Sequence, residues 1–390
     1  MEGIIVLIYY LFISFVFLII LADIFFVVDE KIRSFFYAVL FTIILIFIGL
    51  RYQTGLDWLF YTNLYKGNPS SLAIEPGYYL LSYVSSFFIG YWIYQALITA
   101  FLLICLHHYF KGFTKNYIFC IGIFFLYQFI FVTEALRQII ALSIILIAYK
   151  NLNQKKLFQF YTFSILAVIF HVSAAIVFAI IPFLRYRNVS ILKILTVVGV
   201  FLAVLNIYPI EYIIKLLSML PTGGYIEKIK WYSQDDYAGT VLTYSLIFKL
   251  GVVFLFDYRF NYIRSNDPEF INTKKYDLIY TSVYLMIFLD VYLGRFGTIS
   301  TRLDVYFIPC FLLALNYLIY NFKQGVSRLI FFCFIMIYFS VNYLSIMDGY
   351  YFEKFYSPYQ NYIYEFLNPG AYNDRGWDVE YYFSNKELLQ

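Results

Sequence analysis

The chain has 390 residues, 62% hydrophobic and 13% charged, with 28 lysines and arginines against 24 acids for a formal net charge of +4. Soluble domains carry roughly a quarter charged residues, so this composition excludes an ordinary soluble globule and points to a multi-pass membrane protein. The small basic excess gives no ground for a nucleic-acid partner. Cys105, Cys120, Cys310 and Cys333 stand alone in apolar runs without metal or redox spacing, and three histidines are too few for a histidine-built metal site, so no metal and no cofactor are expected.

Apolar runs recur near the ~20 residues needed to cross hydrocarbon, and they are continuous rather than alternating, which selects helices over a barrel. The run from Gly3 to Val28 reads as a transmembrane helix with one acid, Asp23. Glu2 replaces a basic leader, the run is too long for a signal peptide, and no small-x-small cleavage site follows. Lys31 and Arg33 mark the cytoplasmic side, so the run Phe35 to Leu50 exits at Arg51 on the outer side. There the chain reads Arg51-Tyr52-x-x-Gly55-x-Asp57-Trp58-x-x-Tyr61, then Glu75-Pro76-Gly77-Tyr78. Ionisable groups at a membrane edge are costly unless paired or working, which makes this stretch the first candidate site. Tyr78 to Phe88, short and rich in Ser and Tyr, reads as a helix along the outer interface. Trp92 to Phe110 returns to Lys111 and Lys115. Tyr117 to Thr133 crosses outward and leaves Glu134, Arg137 and Gln138 outside, and Ile139 to Tyr149 returns to Lys150, Lys155 and Lys156.

Phe158 to Leu184 has basic residues at both ends, which a single crossing helix would place on opposite sides. Two half-length helices meeting near His171, each of about 13 residues and ~20 Å, put both ends inside as a re-entrant pair. Ile191 to Ile207 then exits to an outer loop, Val241 to Phe256 returns to the basic stretch Arg259 to Lys275, and Asp277 to Leu293 exits to Arg295 and Arg302. Asp304 to Tyr320 goes in and Leu329 to Ser345 comes out. The fold class expected is all-α: a polytopic transmembrane helix bundle of about 12 membrane segments, half-helices included, without internal repeats. One transmembrane domain covers 1–346 with outer loops 51–91 and 208–240, and residues 347–390 form a polar outer-face tail.

The outer face thus collects Arg51, Asp57, Glu75, Glu134, Arg137, Arg295 and Arg302, with His171 below them. Each has a duller reading. Arginines at helix ends snorkel, Asp57 can cap a helix, Glu75 can serve a turn, and His171 can bond a buried carbonyl. Lys249 reaches the inner interface along its stem, while Asp23 and Asp290 make helix–helix contacts. The 43 tyrosines and 45 phenylalanines are mostly interfacial belts and lipid-facing filler, with stacking on sugar rings as a further use. Agreement of the charged set on one side suits a single reaction. A sugar on a lipid pyrophosphate already carries its leaving group, so arginine forks can hold the departing anion and no metal is needed. The acceptor hydroxyl needs one base, for which Asp57, Glu75 and His171 all qualify, Asp57 being favoured because Trp58 and Tyr61 beside it can hold a sugar ring. Two rival readings are a flippase, which would spread ionisable groups through the membrane depth, and an acyltransferase using His171 beside a cytoplasmic acyl donor.

The motifs resemble the EpsG family of polysaccharide polymerases, within the broad Wzy group. Arg51, Tyr52, Gly55, Asp57, Trp58, Tyr61, Glu75, Pro76, Gly77 and Tyr78 carry the resemblance, with Arg137-Gln138-x-x-Ala141 and His171-x-Ser173-Ala174. It is strongest from Arg51 to Pro182; beyond residue 190 it rests on hydropathy and on Arg302 before Tyr306. Leu56 replaces a residue that is often smaller in the family, and the tail after Met347 has no counterpart. The resemblance implies a GT-C-like, membrane-embedded glycosyltransferase that polymerises undecaprenyl-pyrophosphate-linked repeat units for O-antigen, capsule or exopolysaccharide. The reaction would run on the outer face of the inner membrane, with lipid-linked donor and acceptor and a chain-length regulator as partners. Arg51, Tyr52, Trp58, Tyr61, Arg137, Gln138, Arg295 and Arg302 would bind substrate.

Overall fold

The computed structural model describes residues 7–25, 29–67, 74–186, 189–210, 212, 243–266, 275–321 and 325–384. In hydrocarbon a backbone must satisfy its own hydrogen bonds, and the apolar runs do so as helix: the described residues are 83% helical and include no strand. The helices are α1 (Leu7–Phe25), α2 (Glu30–Ile44, continued by a π-helical turn over Leu45–Gly49), α3 (Asp57–Tyr65), α4 (Pro76–Ser86) and α5 (Tyr91–Lys111). Then come α6 (Tyr117–Tyr127), α7 (Phe129–Glu134), α8 (Leu136–Asn153), α9 (Leu157–Phe170), a 3₁₀ stretch (Val172–Ala179), α10 (Ile180–Tyr186) and α11 (Val189–Val204). The chain continues through α12 (Tyr244–Asn266), α13 (Lys275–Leu293), α14 (Gly297–Asp304), α15 (Ile308–Asn321) and α16 (Val326–Met347), and ends in α17 (Tyr350–Tyr356), α18 (Tyr362–Leu367) and α19 (Gly376–Ser384).

Among the described residues four helices are long and apolar enough to cross a membrane: α1, α2 with its π turn, α5 and α16. A fifth arises if α14 and α15, bent by 66° at a short break, count as one span. Of the rest, α6, α9 and α11 are apolar but shorter, and the longer α8, α12 and α13 do not meet the same standard of length and apolarity, so the described residues hold fewer full-length crossings than the twelve segments read from hydropathy. The run Asp304 to Tyr320 is one of the differences, because the chain turns between Asp304 and Ile308 although Val305, Tyr306 and Phe307 keep it apolar. The outer loop expected at 208–240 lies, except for 208–210 and 212, outside the described residues.

The chain forms two compact units, residues 1–143 with 329–390 and residues 144–328. The tail, residues 347–390, belongs to the first unit. In that unit α1 buries Tyr9, Phe12, Val16 and Ile20 and exposes Leu11, Phe15 and Leu18, a helical stripe suited to lipid. Gly122 lets α6 approach α1 closely, because a Cβ there would lie 2.6 Å from the Ile20 side chain. Asp23 accepts from Arg33 at 2.7 Å, the helix–helix contact expected of it. Helix α4 starts on Pro76, whose fixed φ suits a first turn, and exposes Leu80, Tyr83, Val84 and the following Phe87 and Phe88, in keeping with an interfacial helix.

In the second unit α13 packs against α10, α11, α12, α14 and α15. At Gly199 on α11 an added Cβ would meet Val291 Cγ1 at 2.6 Å, so glycine sets that approach. Helix α9 ends where expected: His171 is extended (φ −158°, ψ 122°), and the 3₁₀ stretch folds back so that Phe178 stacks on Tyr161 with ring centres 6.0 Å apart. In one straight helix those residues would be about 25 Å apart. Lys249 does not reach an interface. Its ammonium lies 2.7 Å from Asp290 and 2.7 Å from Asp304 inside the unit, because an ion in an apolar core lowers its energy by pairing. Lys249→Met is therefore expected to lower stability by about 3–5 kcal/mol. Thermal unfolding of the detergent-solubilised protein measures this, and adding Asp290→Asn and Asp304→Asn should recover part of the loss.

Candidate functional site

The site in the first unit is built on the first turn of α3. A helix start leaves backbone N–H groups without internal partners, and an anion there is stabilised by the helix dipole. Glu134, at the end of α7 and far away in sequence, supplies that anion. Its carboxylate accepts from Leu56 N at 3.0 Å and Asp57 N at 2.8 Å, and from the hydroxyls of Tyr351 at 2.8 Å and Tyr356 at 2.5 Å. Burial first, and the Glu134 charge second, hold both phenols well above the usual tyrosine range, so both stay protonated donors. Glu134 is thus the junction between the Arg51–Tyr61 motif and the tail.

Gly55 makes room for it. Its φ is +89°, and a Cβ at this position would sit 2.4 Å from Glu134 Oε1. Gly55→Ala is expected to cost about 1–2 kcal/mol in left-handed strain alone and to push the carboxylate off the α3 N-terminus as well. The check is a lowered melting temperature, which Gly67→Ala, at a positive-φ position with open space around it, should reproduce only in its strain part.

Arg51 faces inward. It is 2% exposed, with Nη1 donating to Ile48 O at 2.7 Å and Nη2 to Thr133 O, so its fork binds two main-chain carbonyls. Gln95 adds a second brace by donating to Gly49 O and Arg51 O, each at 3.0 Å. The tail closes over the same segment. Tyr52 N donates to Gln360 O at 2.9 Å, Tyr362 N to Leu50 O at 2.8 Å and Gly55 N to Phe355 O at 3.0 Å. Arg375 donates to Gln53 O, Phe355 O and Pro358 O.

Three residues after Glu134, across a break at Ala135 (φ −98°, ψ 58°), Arg137 points elsewhere. Its Nη1 lies 2.6 Å from Glu75 Oε2, with the side chains 16% and 4% exposed, and its guanidinium sits 5.5 Å from the Phe60 ring centre and 5.9 Å from that of Tyr61. Glu75 occupies the N-cap position of α4 without capping it, because its carboxylate serves Arg137 instead. Helical spacing gives α3 two working faces. Asp57, Phe60, Tyr61 and Leu64 (i, i+3, i+4, i+7) share the face turned to Arg137, and Trp58, Thr62 and Lys66 share another. Asp57 is partly exposed on the first turn, Gln138 is buried on α8, and Tyr52 packs on Trp92 with ring centres 4.6 Å apart.

The other sequence-derived residues belong to the second unit. His171 is buried at the break after α9, and its neighbour Ser173 shares a 3.0 Å hydrogen bond with Tyr306. Arg295 lies 4.6 Å from the Tyr208 ring centre, and Arg302 is partly exposed on α14. Sequence reasoning gave no role to Gln95, Tyr351, Tyr356 or Arg375, and placed Glu134 on the correct segment without one. The only sequence signal was the isolated charge of Glu134 after seventeen apolar or neutral residues, 117–133.

A protein-family model, described as the EpsG family, matches residues 34–361. No curated protein matches the chain, and no solved structure does.

Proposed function

The chain belongs to the EpsG family, and we propose that it is a membrane-embedded glycosyltransferase that polymerises undecaprenyl-pyrophosphate-linked repeat units on the outer face of the bacterial inner membrane. The product would be O-antigen, capsule or exopolysaccharide, the fold GT-C-like, and a chain-length regulator a further partner. In the transfer, the acceptor hydroxyl oxygen bonds to the anomeric carbon of the growing glycan. The bond from that carbon to the pyrophosphate oxygen breaks, with the electron pair leaving on undecaprenyl pyrophosphate, and the hydroxyl proton passes to a carboxylate.

The observation that carries this reading is the setting of Arg137, a partly reachable guanidinium held by Glu75 and ringed by Phe60 and Tyr61 beside the Asp57 face of α3. A pre-oriented fork stabilises a departing pyrophosphate without reorganisation at the moment of reaction. Within the first unit we assign Arg137 to pyrophosphate and Asp57 to the base. Glu75 positions Arg137. Arg51, spent on Ile48 O and Thr133 O, becomes a positioning residue that shapes the segment before α3. Metal-independent transfer is part of the proposal.

Deleting the gene in its host tests it. Single repeat units should accumulate on the lipid carrier at the outer face while long-chain surface glycan disappears. Repeats trapped in the inner leaflet would favour a flippase instead, and glycan of normal length would rule out the polymerase.

A further inference from the structure

A cleft of about 520 Å³ opens on the far face of α3 from Arg137, and it lies wholly within the first compact unit. Its volume falls in the range of roughly 300–1,000 Å³ typical of ligand sites. One wall is aromatic. Trp92 stands at its centre, with ring centres 4.6 Å from Tyr52, 5.9 Å from Trp58 and 4.9 Å from Tyr91. The tail contributes Asp374, Trp377 and Glu380 to the lining. Three of the four tryptophans in the chain thus meet in one cleft, whereas the far more numerous phenylalanines contribute none of its lining. Lipid-facing filler would not sort the two residue types in that way.

Two observations point to a polar ligand rather than a lipid tail. Trp58, 6% exposed, has its indole N–H without a hydrogen-bond partner among the described residues, and so does the buried Tyr91 hydroxyl. A buried donor of this kind is costly unless something accepts from it. Carboxylates and an ammonium, those of Asp374, Glu380 and Lys66, line the same space. Flat apolar faces combined with acceptors and donors around them match one ligand class. A pyranose ring offers an apolar C–H face to an aromatic ring and a rim of hydroxyls that both donate and accept.

We propose that this cleft is a glycan-binding subsite, shared between the aromatic wall and the tail, that holds sugar residues away from the reacting bond. The identity of the glycan as a repeat unit rests on the polymerase reading above; the binding itself does not. Two consequences follow from position. Substrate bound there lies across α3 from Arg137, so one helix carries both the holding face and the reacting face. Asp374, Trp377 and Glu380 also fall beyond residue 361, where the family match ends, so their share of the lining belongs to the part of the chain outside that match.

Trp377, 80% exposed, can be changed without opening a core. The probe is the repeat oligosaccharide freed by mild acid from the host's lipid-linked pool, titrated into the purified full-length protein while tryptophan fluorescence is followed. Wild type should bind with quenching. Trp377→Ala should bind about tenfold more weakly, the scale of one lost aromatic contact, while Trp377→Tyr stays close to wild type. Asp374→Asn with Glu380→Gln should weaken binding again with unchanged melting temperature. Absent binding by folded wild type, or equal affinity in all these variants, would overturn the subsite. If the oligosaccharide binds and Trp377→Ala loses it while no polymer forms from lipid-linked units, the subsite stands and the polymerase reading falls.

Discussion

Charge reversal at Arg137 is expected to abolish polymer while leaving the protein in the membrane. Removing one pre-oriented donor from a developing anion typically costs about 10²–10³ in rate, and a carboxylate in its place adds repulsion against the leaving pyrophosphate. Arg137→Glu would also set two acids against each other where a 2.6 Å ion pair stood, so stability must be followed beside activity. The exchange Glu75→Arg with Arg137→Glu separates the two effects. It restores a pair, and melting temperature should recover, yet the cation is displaced to α4 and polymer should stay absent. Arg137→Lys keeps the charge and loses the planar fork, so product of reduced amount is expected. Chain lengths unchanged in Arg137→Glu would make the arginine a structural residue only.

Glu134→Ala should do the most damage to folding. It strips the acceptor from Leu56 N, Asp57 N, Tyr351 and Tyr356 together. Each buried donor left without a partner costs about 1–3 kcal/mol, although contributions within one network do not simply add. Tyr356 keeps a 3.0 Å contact with Thr133 and loses least. Glu134→Gln should fall only partway back, because its amide N–H₂ faces donors and the negative charge at the α3 N-terminus is gone. Limited proteolysis is the sharper readout, since release of Tyr351 and Tyr356 should expose residues 348–375 to cleavage while α16 stays protected. A tail as resistant in Glu134→Ala as in wild type would contradict Glu134 as the junction.

Hydropathy and basic residues made most helices legible. α1, α2, α5 and α16 follow their apolar runs, α4 stands where an interfacial helix was expected, and the break at His171 follows from basic residues at both ends of one run. The motif Arg51–Tyr61 was found because charge in an apolar chain is conspicuous. What its residues do was less accessible. Arg51 and Arg137 look alike in sequence, each at the end of an apolar run, yet one fork is sealed on main-chain carbonyls and the other stays at the edge against Glu75. The direction of a long side chain depends on partners that no local pattern encodes. The tail shows the same limit. Its bonds to residues 50–55 join positions some 300 residues apart, and its own sequence has no helical or strand period strong enough to announce a docking site. Lys249 and Asp290 stand out in sequence as charges inside apolar runs, but their pairing does not, because Asp290 and Asp304 lie too far away in sequence and snorkelling is the default for a lone lysine.

The most direct measurement is polymerisation in liposomes that contain only the purified protein and undecaprenyl-pyrophosphate-linked repeat units, with a metal chelator present. Wild type should convert single repeats into a ladder of longer lipid-linked glycans, and Asp57→Asn and Arg137→Glu, folded and inserted to the same extent, should leave single repeats alone. Folded wild type that yields no ladder, or a ladder undiminished in Arg137→Glu, would contradict a polymerase centred on this face of α3.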